Sequence, residues 1–241
     1  MSGTTTGHGA DGSRTAGAGK ADEINTANET NETNETNVAE MADMATRRGR
    51  SDRVTSLARA VTEVFQPRNL LLVGMVGIGL AAAGDWTGLP WGLLAALCAG
   101  IVPASYIEWE RKRGTWGDRH VVDRTKRAPI FFVILGSTGA GSAVMVLGGA
   151  PTGILVTMLS LWGMTIGLLS VNTVWKISVD AAVASAVVAQ LAVVHSPWWL
   201  LAYALTVAVC WSRVALRYHT TGQTIAGAAL GAATTAAFLF V

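Results

Sequence analysis

Near its end the chain carries Ser212-Arg213-Val214-Ala215-Leu216-Arg217-Tyr218-His219, set between two apolar stretches each long enough to span a bilayer. The spacing puts a hydroxyl, a guanidinium and an imidazole at one membrane boundary, with Gln223 four residues beyond the histidine. A guanidinium grips phosphate oxygens by charge and paired hydrogen bonds, and an imidazole can attack phosphorus. The oily surroundings point to a phosphate carried on a lipid.

Two further polar clusters precede this one. Residues 117–129, Gly-Asp-Arg-His-Val-Val-Asp-Arg-Thr-Lys-Arg-Ala-Pro, place Arg119, Arg124 and Arg127 three to five residues apart. They could hold a phosphate; they could equally be a topology-setting basic loop at an anionic lipid surface. Asp118 and Asp123 are expected to pair with neighbouring arginines, and no metal site is expected from their spacing. Residues 175–182, Trp-Lys-Ile-Ser-Val-Asp-Ala-Ala, open an apolar helix. There Lys176, Ser178 and the free N–H groups of the first turn would favour an anion. Ser178 or Asp180 would serve as well as a plain N-cap.

The elements that must position these groups are membrane helices. Charged residues make up only 14% of the 241 residues, and mean hydropathy is +0.40, too apolar for an ordinary soluble domain. Three parts are expected: a disordered polar tail over 1–50, an amphipathic basic helix over 51–68, and a membrane domain over 69–241. The tail repeats Asn-Glu-Thr three times over 28–36 and lacks the apolar surface to offset ordering entropy. Val54, Leu57, Val61, Val64 and Phe65 recur at helical spacing behind Ser51 as N-cap. That helix would lie on the membrane surface or pack against the chain's own loops.

Seven spans follow, at about 69–84, 89–108, 129–149, 152–171, 179–195, 198–214 and 221–241. The expected fold is therefore all-α, a polytopic helical bundle. With this count, all 18 lysines and arginines fall on one side, and the positive-inside rule puts that face and the N-terminus in the cytoplasm of a multi-pass cell-membrane protein. Cys98 and Cys210 sit in apolar runs with no partner at ligand spacing, as buried thiols do.

Taken together, the order and spacing of the three clusters resemble the signature of the type 2 phosphatidic acid phosphatase family, which also includes vanadium haloperoxidases. Its pattern is a basic stretch ending in Arg-x-Pro or Arg-Pro, then Ser-x-His at a helix start, then Ser-Arg-x5-His-x3-Asp. Here Arg127-Ala128-Pro129, Ser178-Val179-Asp180 and Ser212-Arg213 through His219 stand at those places, over about 110 residues. The resemblance implies a metal- and cofactor-independent membrane phosphatase acting on a lipid phosphate or isoprenoid (di)phosphate. His219 would be the nucleophile that forms a phosphohistidine. Arg213, Arg127 and Arg124, with Arg119, Lys176, Ser178 and Ser212 near them, would hold the phosphate.

Three positions depart from the pattern. Asp180 stands where the family has its leaving-group histidine, Gln223 stands where it has the carboxylate that orients the nucleophile, and His120 stands where it has a lysine. A carboxyl group can act as general acid only when protonated. Gln223 can accept the imidazole N–H but stabilises an imidazolium less. A catalytically weak relative that binds lipid phosphates is thus the alternative. A transporter is a third, which no inverted repeat or intramembrane carboxylate supports. The expected partners are a bilayer and a phosphorylated lipid, with no nucleic acid; oligomeric state is left open.

Overall fold

The computed structural model describes residues 40–113 and 128–237, and among them every regular element is a helix. The chain divides into two compact units, residues 1–53 and 54–241. Of the first, residues 40–53 are helical and exposed, with Arg47 Nε 2.7 Å from the Asp43 carboxylate. This corrects the expected boundary: helix α1 runs Glu40–Val64, so residues 40–50 are not part of a disordered tail and Ser51 is no N-cap. Met41, Ala42, Met44, Ala45, Arg47 and Arg48 are good helix formers, and the Asp43–Arg47 pair supports them one turn apart. The expectation for residues 1–39 lies outside the described residues. In the second unit the last turns of α1 are packed rather than laid on a surface, for Ala58 is fully buried and the Thr62 hydroxyl donates to Ser212 Oγ at 3.2 Å.

The remaining elements are α2 Pro67–Ala83, a 3₁₀ turn Trp86–Gly88, α3 Leu89–Ala96, a π turn Leu97–Ile101, α4 Val102–Lys112, α5 Ala128–Leu147, α6 Thr152–Val174, α7 Val179–Val194, a 3₁₀ segment Pro197–Ala202, α8 Tyr203–Ala215 and α9 Thr221–Ala237. Four stretches, Trp86–Lys112, Pro129–Leu147, Thr152–Val174 and Pro197–Ala215, are long and apolar enough to cross a membrane; counting the bent pair α1–α2 as one span makes five.

Pro103 explains the irregular middle of the first stretch. In the π turn the Val102 N–H reaches back five residues to the Leu97 carbonyl. The next donor in that register would be residue 103, which is proline and has no N–H. The carbonyl left over belongs to Cys98, and Ser137 of α5 donates its hydroxyl to it at 2.7 Å. A backbone acceptor at membrane depth is thus satisfied by a neighbouring helix, as an environment without water requires.

α7 is the axis of the bundle, with residues 181–185 and 187–191 buried and α2, α8 and α9 packed around it. Ile78, Met145, Ile154, Met158 and Leu168 fill the core beside it. Close packing, not hydrophobic drive, must hold such helices together in lipid. The α7–α9 approach is one such consequence. A methyl placed at Gly227 would collide with the Ser178 carbonyl oxygen, and one at Gly231 with that of Ala182. Two glycines four apart on α9 therefore lie directly on two carbonyls four apart on α7, which brings the start of α7 against the start of α9.

Candidate functional site

That approach places the second and third clusters side by side. Ser178 caps α7, its hydroxyl accepting the Ala181 N–H at 3.3 Å, while its own N–H donates to the Gln223 carbonyl of α9 at 3.2 Å. Lys176 Nζ donates to the Tyr218 carbonyl at 2.8 Å, tying the turn after α8 to the segment before α7. The turn closes on α8 itself, since the N–H groups of Tyr218 and His219 both reach the Arg213 carbonyl, at 3.0 and 3.3 Å. Arg217 takes the left-handed conformation that reverses the chain there, with φ of 57°.

At the centre, Arg213 Nη2 donates to Asp180 Oδ1 at 2.8 Å, in a pair whose side chains are only 10% and 19% exposed. The expected phosphate-gripping cation and the expected leaving-group acid are thus each other's partner. Each charge sits well on its helix: Asp180 in the first turn of α7, Arg213 in the last turn of α8. Arg213 Nε is also buried and has no hydrogen-bond partner among the described residues. A guanidinium has five donors, and this buried one is oriented but unmatched.

One nitrogen of the imidazole has a defined role. Gln223 Oε1 accepts the Thr220 N–H at 3.1 Å, which identifies that atom as the amide oxygen, and it lies 3.3 Å from His219 Nδ1. An oxygen acceptor there requires a proton on Nδ1. In return the Thr220 hydroxyl accepts the Gln223 N–H at 3.3 Å. Thr220 and Gln223 are thus a reciprocal capping box at the start of α9. The Thr-x-x-Gln pattern carries that signal in the sequence.

Other expected ligands stand differently. Ser212 is fully buried; its hydroxyl donates to the Val209 carbonyl at 2.8 Å and accepts from Thr62. Its single proton is taken, so it cannot also donate to an anion, and the expectation of a phosphate ligand is corrected to a packing role. Ser178 has its N–H engaged and could offer only its hydroxyl proton. Arg119, Arg124 and Arg127 of the first cluster lie outside the described residues. Comparison with protein-family models, with curated proteins and with solved structures gives no match. The chemistry rests on the arrangement itself: an imidazole whose Nδ1 is held by Gln223, a guanidinium with an unmatched buried donor, and a carboxylate between helix start and cation.

Proposed function

We propose that this protein is a membrane phosphatase for a lipid phosphate or isoprenoid (di)phosphate, of the type 2 phosphatidic acid phosphatase kind. The observation that carries the proposal is the buried Arg213 Nε without an acceptor, with His219, its Nδ1 held by Gln223, in the turn whose backbone returns to the Arg213 carbonyl. A phosphate oxygen supplies the acceptor that a buried guanidinium donor needs. His219 Nε2 then attacks phosphorus as the bond to the lipid oxygen breaks, and water later hydrolyses the phosphohistidine. The leaving oxygen takes a proton from Asp180, which takes one up from water once a bound phosphate displaces it from Arg213, and the water that hydrolyses the phosphohistidine returns a proton to it. Arg213 stabilises the charge that develops on the phosphoryl oxygens. In this proposal the chain crosses the membrane seven times, with α1 and the motif face in the cytoplasm, as the lysine and arginine distribution calls for.

The Asp180–Arg213 pair favours a second reading, in which the protein binds lipid phosphates without turning them over, because the carboxylate occupies part of the anion's seat. One assay decides. The purified full chain in detergent, without added metal, is given phosphatidic acid or a polyprenyl diphosphate while phosphate release is followed. Release abolished by His219→Ala supports the phosphatase. Release that survives His219→Ala refutes the nucleophile, and no release from the wild type with release gained in Asp180→His supports the binder.

A further inference from the structure

Beside the site, α8 and α9 enclose a groove of about 670 Å³. Val207, Trp211 and Val214 line it from α8, and Ile225, Ala229 and Ala232 line it from α9. The alanines leave the volume, while Gly227 and Gly231 hold α9 against α7. Most hydroxyl groups along the walls are engaged elsewhere: Thr224 donates to the Thr221 carbonyl at 2.9 Å, and Tyr203 and Ser185 pair with each other at 3.3 Å, while the Thr206 hydroxyl is buried without a partner among the described residues. What the groove presents is carbon.

Its ends set the occupant's size and polarity. The lining runs from Tyr203 to Val214 along α8, a rise of about 16 Å at 1.5 Å per residue. That is about half of a hydrocarbon core of roughly 30 Å, the depth of one leaflet. At one end Val214 follows Arg213 and Thr221 follows His219 by two residues, so the groove stops at the helix end and turn that carry the cation and the imidazole. A ligand that fits both parts has an anionic head and a single-leaflet hydrocarbon tail. We propose that this groove seats the tail of the lipid whose phosphate is held at Arg213, so that α8 and α9 select the substrate by its chain. This inference rests on the phosphate-binding reading of the site.

Photolabelling of the full chain tests it. The protein is reconstituted in phosphatidylcholine vesicles containing a minor fraction of phosphatidic acid with a diazirine in mid-tail, and the labelled residues are mapped by mass spectrometry. Label should fall on Val207, Ile225 or Ala229 and should drop at least about tenfold in Ala229→Trp and in Val207→Trp, the equivalent of displacing about two buried methylenes. Both positions are exposed to the groove side rather than the core, and two variants guard against misfolding of either. Equal labelling by the same tail on phosphatidylcholine, label elsewhere, or label that persists in both variants would overturn the proposal. Phosphate release is followed in parallel, from phosphatidic acid and from a short soluble phosphate ester. Groove variants that lose release only from the long-chain ester support the seat. Specific labelling with no release from either ester leaves the tail seat standing and removes the catalytic reading. Release from a chain labelled elsewhere does the reverse.

Discussion

Replacing Asp180 by asparagine separates the two roles that the Arg213 pair combines. The side chain keeps its shape and one acceptor oxygen at the Oδ1 position, which lies 2.8 Å from Arg213 Nη2. What disappears is a negative charge next to the proposed anion seat. An anion bound to the same guanidinium would lie about 5 Å from that carboxylate. With an effective dielectric constant of about 20, two unit charges there repel by about 3 kcal/mol, about two orders of magnitude in affinity. Asp180→Asn should therefore bind vanadate or inorganic phosphate up to about 100-fold more tightly, measured by titration calorimetry in detergent at low salt. The gain should shrink on adding salt, to the extent that the site admits water. Turnover should move the other way, because an amide cannot protonate the leaving oxygen, a loss of about 10²–10⁴-fold for a general acid. Unchanged or weaker anion binding in this variant would mean that Arg213 is not where the anion sits, and the reasoning would fail at its first step.

Three other substitutions probe the supports. Gln223→Leu removes both the capping partner of Thr220 and the acceptor at His219 Nδ1; it should cost about 1 kcal/mol of stability and lower phosphate release, whereas Gln223→Glu should restore both, as thermal melting and the release assay would reveal. Gly231→Val puts a side chain onto the Ala182 carbonyl oxygen; overpacking of about 1–3 kcal/mol or more should lower the melting temperature and pull the two clusters apart, while the exposed Gly136→Val, with open space around it, should change neither. Arg217→Gly relieves a left-handed residue and should raise stability by up to about 1 kcal/mol, where Arg217→Val should lower it in the same melting experiment.

Much of this protein was written in composition and period. The apolar stretches are helices because each is long and apolar enough to bond its own backbone, and Pro67, Pro103, Pro151 and Pro197 mark where elements start or bend. The Ser-Arg-x5-His spacing put Arg213 and His219 at one boundary; that the turn after α8 returns the His219 N–H to the Arg213 carbonyl came from the fold. The helical start of α1 at Glu40 was missed, because the polar, repetitive sequence before it obscured the run of helix formers from residue 41.

What the linear order could not give is which groups face each other across helices. Asp180 and Arg213 are 33 residues apart, and their pairing depends on α7 and α8 presenting the right sides at the same depth. Ser212 reads as a donor beside an arginine, yet the turn of α8 points it inward to Thr62 and to its own backbone. Gln223 reads as a substitute for a carboxylate, and only the fold reveals that one oxygen serves both a helix cap and the imidazole. Residue types and spacing thus determined the helices and the cast of reactive groups. Which of those groups meet was decided by the glycine-on-carbonyl contact of α9 with α7, because backbone approach sets the distance over which every side chain at the site must reach.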